Sequence, residues 1–534
     1  MEKKHFKSAE TVFAGATPGE SAAIWAHARG IVDAWYAEYR RILATPDVEA
    51  DVCFRRNEAN FSKGYYSNTQ RKMFEHTPDQ YQRTRTTETL GGWADSPYKT
   101  KDYPRDSYCG WKNEAMRQEA TGFFYVKKLG GRWWYIDPEG YPCIVRCMIG
   151  PLFSYNKNKT QEESATALYG TRENWANHTV RHLKDDLSFN TVGLWQPDAE
   201  LVKGVKDGMV YQKSIDVITA YGNEVGVCSK QGSTFFDQQI DEVMKKPRAE
   251  RRYDNVMPVF DPGFEEAADR LIRAVVEPLK NDPQVIGFTT DYEIPMNRDL
   301  LDRYLFRISP DFAVSRYSFA AAWTWFRFMT GKETPTEEDI TDELRELFRG
   351  FVYYRYFSVV GPAAKRHMKN HPYCGVRFLT GPERTSVASA EWVIRFAAQY
   401  ADIININWYR VWTLPPETAR DLTVWSGDKP FVISEFGAKS DGGDSTFHNA
   451  AGGWFLETQQ GRADFYENFI LSFLEWKNNI GWHWYRYNHY WIGDVPQSGG
   501  GVVDDHHVPY PELEAAFDHV NNHTYGLIEF FDQK

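Results

Sequence analysis

Two apolar, β-branched runs constrain this chain more than anything else in it. One is Val285-Ile286-Gly287-Phe288-Thr289-Thr290-Asp291-Tyr292-Glu293. The other is Lys429-Pro430-Phe431-Val432-Ile433-Ser434-Glu435-Phe436-Gly437-Ala438-Lys439. Each reads as a buried strand, and each delivers a glutamate where the strand gives way to a loop. A carboxylate at the C-terminal end of a buried parallel strand is costly unless chemistry needs it there. Two of them, roughly 140 residues apart, fit strands four and seven of an eight-stranded α/β barrel. Facing carboxyl groups are the apparatus of glycoside hydrolysis.

The rest of the chain agrees with a (β/α)8 TIM barrel carrying an N-terminal extension. Further candidate strands are Pro142 to Gly150, Thr191–Trp195, Lys213–Val217, Tyr373–Leu379, Ala401–Trp408 and Gly481–Tyr487. Helical stretches such as Glu265–Leu279, Arg316–Met329, Glu343–Lys369, Ser389–Gln399 and Arg462–Trp476 alternate with them. Strand and helix in alternation imply a parallel sheet with right-handed crossovers, in a barrel or a doubly wound sheet. The barrel is preferred because the strands number eight and no GxGxxG follows a strand. With 534 residues the chain has room for a barrel of about 250 residues plus insertions. The barrel domain is placed at 122–534, entered through a hairpin around Gly130-Gly131. Residues 1–121 are read as a helical and irregular extension packing on it. Its one clear element is an amphipathic helix with Ile24, Trp25, Ile31, Val32, Trp35, Tyr36, Tyr39 and Ile42 at helical spacing.

Composition excludes several classes. The net charge of −11 argues against a nucleic-acid partner. No run of about 18 apolar residues spans a membrane. The six cysteines form no CxxC, so zinc-ribbon and thioredoxin chemistry are excluded. Cys143 and Cys147, about 13 Å apart along one strand, are too distant for a bridge. Met1 to Lys7 is basic but no apolar stretch follows. The sequence therefore fits a cytoplasmic protein, or one whose leader has been removed. Aromatic residues reach 16%, enough for sugar-stacking platforms as well as for a large core.

A retaining glycosidase needs one carboxyl as acid/base and one as nucleophile, about 5–5.5 Å apart. Glu293 is assigned the first role and Glu435 the second. The bland alternative for either glutamate is a loop salt bridge. Tyr409, ending Asn405-Ile406-Asn407-Trp408-Tyr409-Arg410, is placed to donate a phenolic hydrogen bond to the nucleophile. Neither cofactor nor metal is called for. Asp504-Asp505-His506-His507 is the best metal-like cluster, but adjacent residues seldom share an ion and no HExxH accompanies it.

These stretches resemble the clan A glycoside hydrolases, and within the clan the β-agarases of family 50. The likeness rests on Gly131-Arg132-Trp133-Trp134 with Asp137-Pro138-Glu139-Gly140, Val259-Phe260-Asp261-Pro262, Asp291-Tyr292-Glu293, Ile433-Ser434-Glu435-Phe436 and Gly481-Trp482-His483-Trp484-Tyr485, and runs from about Gly122 to about Pro511. It implies hydrolysis of an algal galactan with Glu293 and Glu435 as the acting carboxyls. In the clan an asparagine stands directly before the acid/base and binds the sugar 2-hydroxyl. Here that position holds Tyr292, which cannot copy an amide. The departure keeps open a non-catalytic carbohydrate-binding protein on a degenerate barrel.

Strand-end position makes Asp291, Tyr292, Trp195, Asn407, Tyr409, Arg410, Lys439, His483, Trp484 and Arg486 candidate substrate contacts. Trp484 matches the position where clan members stack a sugar ring. His483 reads more naturally as a satisfied strand histidine than as a catalyst. Arg146, Arg377, Arg410, Lys439 and Arg486 gather cations at strand ends of an acidic protein, which suggests an anionic ligand such as a sulfated galactan. The bland alternative is that one or two of these arginines merely orient the catalytic glutamates, Arg146 in particular. Gly499-Gly500-Gly501 after strand eight is read as a mobile segment beside the substrate.

Overall fold

A computed structural model of the chain describes residues 12–52, 60–67, 81–154, 158–193, 201, 208–225, 256–308, 310, 313–380, 386–409, 411–440, 453–492 and 495–533. Eight strands build the central sheet: β1 Val145–Ile149, β2 Thr191–Gly193, β3 Val210–Ile215, β4 Val285–Thr290, β5 Arg377–Leu379, β6 Ile404–Asn407, β7 Phe431–Phe436 and β8 Asn479–Tyr485. They lie in the order β5-β6-β7-β8-β1-β2-β3-β4, every neighbouring pair parallel. Parallel bridges Phe288↔Tyr373 and Tyr292↔Arg377 join β4 to β5, and the Cys374 N–H donates to the Phe288 carbonyl at 2.8 Å. The sheet is therefore a (β/α)8 barrel.

Burial on both faces explains the sequence pattern. All six residues of β4 and all six of β7 are buried, as a sheet clothed in helices requires. Between β4 and β5 run helices α2 (Ala313–Thr330) and α3 (Asp342–His367), and between β7 and β8 runs α4 (Gln459–Glu475). The first long helix, α1 (Pro18–Ala44), opens on a capping box in which Glu20 and Thr17 bond reciprocally. It buries Ile24, Ile31, Val32, Trp35 and Ile42 and packs on α2 and α3. The Trp35 ring lies 5.7 Å from Trp325 and 5.5 Å from Phe351.

The N-terminal region also meets the C-terminal end of the barrel. Strands Asn60–Ser67 and Tyr81–Thr84 share a four-stranded sheet with Ala438–Lys439 and Gly453–Leu456, which follow β7 directly. Gly437 makes that exit possible. A Cβ there would stand 2.2 Å from the Tyr485 carbonyl, so a side chain would push the end of β7 off β8.

Candidate active site

The two glutamates meet at the C-terminal mouth of the barrel. Asn407 ends β6 and is the register partner of Glu435 on β7. Its amide nitrogen lies 3.1 Å from Oε1 of Glu293 and 3.5 Å from Oε2 of Glu435. The amide orientation is fixed from behind, where the Ser434 hydroxyl donates to Oδ1 at 2.8 Å. Carboxylates accept, so the NH2 end must face them. Sharing one nitrogen, those two distances keep the two carboxylate oxygens under about 7 Å apart.

Glu435 is 8% exposed and held at both oxygens. Tyr409 donates its hydroxyl to Oε1 at 2.7 Å, and Arg377 donates to Oε2 at 2.8 Å while also bonding the Ser434 carbonyl at 3.0 Å. Burial, with the Glu435 charge beside it, pushes the Tyr409 phenol well above its ordinary value, so it remains a donor. Glu293 sits in the left-handed region at φ 46°, a conformation that costs a glutamate on the order of 1 kcal/mol or more. Backbone bonds hold it there: its N–H donates to the Arg377 carbonyl at 2.9 Å, and the N–H of Asp291 donates to Ile215 at 2.7 Å.

Several sequence expectations change. Asp291 turns inward: at 1% exposure its Oδ1 accepts from the Ile218 N–H at 2.8 Å and its Oδ2 from the Tyr356 hydroxyl at 2.7 Å, so it shapes the turn rather than contacting sugar. Trp484 is not a stacking platform. It is fully buried against Phe436, Tyr466 and Phe517, because Trp482 and Trp484 point at the helices. His483 takes the opposite parity, fully buried, and burial and nearby Arg377 drive it well below the usual histidine range. Arg146 does not orient a glutamate. Its guanidinium bonds the Ser188, Ile144 and Cys109 carbonyls beneath the Tyr525 ring, and Arg377 holds Glu435 instead. The glycines near 500 are buried and tied down: Arg462 donates to the Gly500 and Gly501 carbonyls at 2.8 and 2.9 Å. A Cβ on Gly501 would lie 2.5 Å from the Val503 carbonyl, so this glycine serves close packing rather than mobility.

Other candidates stay near the mouth. Tyr292 is 9% exposed with the Arg377 guanidinium 6.0 Å from its ring centroid. Arg486 lies over the rings of Tyr485 and Tyr490. Lys439, one turn of chain beyond Glu435, is buried, which lowers it to about 7. Trp195 and Arg410 lie outside the described residues. In the Asp504 to His507 stretch the side chains diverge: Asp505 accepts from Gln161 and Trp491, and His507 meets the Gln161 carbonyl. Ser434 is the site residue whose role the sequence did not announce, and among the strand-end arginines it is Arg377 rather than Arg146 that holds a glutamate. The available signal was a charged residue between Val376 and Phe378 in a buried strand.

No protein-family model matches the chain. Among curated proteins, β-agarase B of Vibrio sp. (strain JT0107) is 22% identical over 539 residues, covering 82% of this chain and 52% of that protein. β-Agarase A of the same strain is 30% identical over 183 residues, 32% of this chain and 17% of that protein. The solved structure of BpGH50 superposes with a TM-score of 0.71 at 24% identity, over 91% of this chain and all of that one. The chain resembles the β-agarases of glycoside hydrolase family 50. It spans about half the length of β-agarase B. The agarase AgWH50C (TM-score 0.59, 20% identity, 79% of this chain and 66% of that one) and an exo-β-agarase (0.59, 19%, 82% and 68%) share the fold.

Proposed function

We propose that this protein is a retaining β-glycoside hydrolase acting on agarose-type galactan or its oligosaccharides. The observation that carries the reading is the Asn407 amide standing between Glu293 and Glu435. A separation under about 7 Å admits the roughly 5–5.5 Å of retaining enzymes and leaves out most of the roughly 6.5–9.5 Å range of inverting ones. Likeness to two β-agarases points to the substrate class.

In this reading Glu435 attacks the anomeric carbon, aimed by Tyr409 and Arg377, while Glu293 protonates the departing glycosidic oxygen. A glycosyl ester on Glu435 results. Glu293, now ionised, takes a proton from water as the water oxygen attacks the anomeric carbon, and the Glu435 carboxylate leaves. No other reactant is consumed. The test is release of reducing ends from defined agarose oligosaccharides, with Glu293→Ala and Glu435→Ala as blanks. Turnover by the wild-type chain, lost in both variants, is the expected result. A wild-type chain no faster than its blanks leaves carbohydrate binding without catalysis.

A further inference from the structure

We propose that Tyr353 and Tyr356, on the helix behind the acid/base, are positioning residues for Glu293. The inference rests on the hydrolase reading above. Glu293 follows β4 in a turn where Asp291 has φ 59° and Glu293 φ 46°. Residues other than glycine seldom hold such angles unless their surroundings impose them. In front, the Glu293 N–H on the Arg377 carbonyl at 2.9 Å is one restraint. A second set comes from α3, on the far side of the turn.

Arg349, Tyr353 and Tyr356 share one face of α3, at the i, i+4 and i+7 spacing of a helical stripe. All three are buried, and all three aim polar atoms at the turn. Before Glu293 in the chain, the Tyr356 hydroxyl donates to Oδ2 of Asp291 at 2.7 Å, and its oxygen lies 2.9 Å from Thr290 Oγ1. After Glu293, the Tyr353 hydroxyl lies 3.2 Å from both the Ile294 and the Pro295 carbonyl, which share its one proton. Arg349 Nη1 reaches the Met296 carbonyl at 3.4 Å. The strained glutamate is thus pinned from both sides in the chain. A phenylalanine would fill the same core, where the Tyr353 ring stands 5.8 Å from Phe378, so what these tyrosines add is the hold on the turn. A general acid must meet the departing oxygen within hydrogen-bond reach, and a misplacement of about 1 Å can cost on the order of a hundredfold.

The test exploits the fact that only a poor leaving group needs the acid. Phenyl and 2,4-dinitrophenyl β-glycosides of an agarose disaccharide with galactose at its reducing end are compared in the wild-type chain, Tyr353→Phe and Tyr356→Phe. The readout is kcat/KM, which reports the steps through departure of the phenol. The inference predicts a fall of about tenfold or more on the phenyl glycoside and under about twofold on the dinitrophenyl one, whose phenolate leaves without a proton. Placed in Glu293→Ala, which has no acid to aim, either substitution should cost under about twofold more on the phenyl glycoside. Tyr356→Phe strips a donor from the buried Asp291 carboxylate; should it not fold, Tyr353→Phe carries the test alone. Equal slowing of both substrates overturns the inference, because the hydroxyls then support only the fold, and so does unchanged turnover of both. Absence of turnover by the wild-type chain on both glycosides and on agarose oligosaccharides overturns the hydrolase reading, and the inference with it.

Discussion

Tyr409→Phe removes one oxygen and leaves the ring. The hydroxyl donates to Glu435 Oε1 at 2.7 Å, within the short range of charge-assisted bonds. A hydrogen bond to a charged group contributes about 1.5–3 kcal/mol, and the ring's partial exposure favours the lower half of that range. If the bond aims Glu435 at the anomeric carbon, kcat/KM falls about 13- to 45-fold. The loss should lie in kcat, because the phenol touches the nucleophile. It should also be constant between about pH 5 and 9, since burial and Glu435 keep the phenol protonated far above its ordinary range. Initial rates on an agarose oligosaccharide across that pH span, with a thermal melt to confirm folding, give the answer. A loss under twofold, or one confined to KM, would refute the assignment of Tyr409 as the residue that aims Glu435.

Three further outcomes follow from the packing. Trp484→Phe should lower Tm, by an amount corresponding to about 1–3 kcal/mol, while KM stays unchanged, since the ring is core between Phe436, Tyr466 and Phe517; a raised KM with unchanged Tm would restore it as a sugar platform. Gly437→Ala should cost activity and stability together, because the new methyl meets the Tyr485 carbonyl beside Glu435; a fully active variant would show that the β7 exit is not tightly set. Asp137 is buried beside Asp106, and burial first, then that neighbour, push its carboxyl up to about 8. The folded state thus holds a proton that the unfolded chain releases near pH 4, so stability falls as pH rises from about 4 to about 8. Asp137→Asn, which needs no such proton, should raise stability at pH 7 by up to about 4 kcal/mol and flatten that slope in urea melts; an unchanged slope would assign the pH dependence elsewhere.

What the sequence disclosed follows the physics of each element. Val285–Thr290 was legible to the residue because a fully buried parallel strand is a continuous apolar run. The third strand was expected at Lys213–Val217 and lies at Val210–Ile215, because Asp216 already leads into the helix Val217–Glu224. The fifth was expected from Tyr373, where the bridge to β4 does lie, but its ladder with β6 begins at Arg377, after Gly375 at φ 62° breaks the extended backbone. That Glu293, Glu435 and Tyr409 come together was legible because polar groups at the ends of buried parallel strands gather at one mouth of the barrel. Trp484 was misread because both faces of a barrel strand are apolar, so Trp-His-Trp-Tyr gives an alternation without saying which parity faces inward. The Arg377 to Glu435 pair and the Ser434 to Asn407 bond depend on register between strands distant in sequence, which no local pattern carries. Arg377 and Arg146 are committed to protein partners, which removes two of the five cations behind the expectation of an anionic ligand, and Arg410 lies outside the described residues.

Retention requires two carboxyls close enough for one of them to attack the sugar. Proton NMR of the first-formed reducing end, recorded before mutarotation on a β-linked agarose oligosaccharide, reads that geometry out directly. A β-anomer appearing first is the predicted result. An α-anomer appearing first would mean that water, not Glu435, reaches the anomeric carbon, and would contradict it.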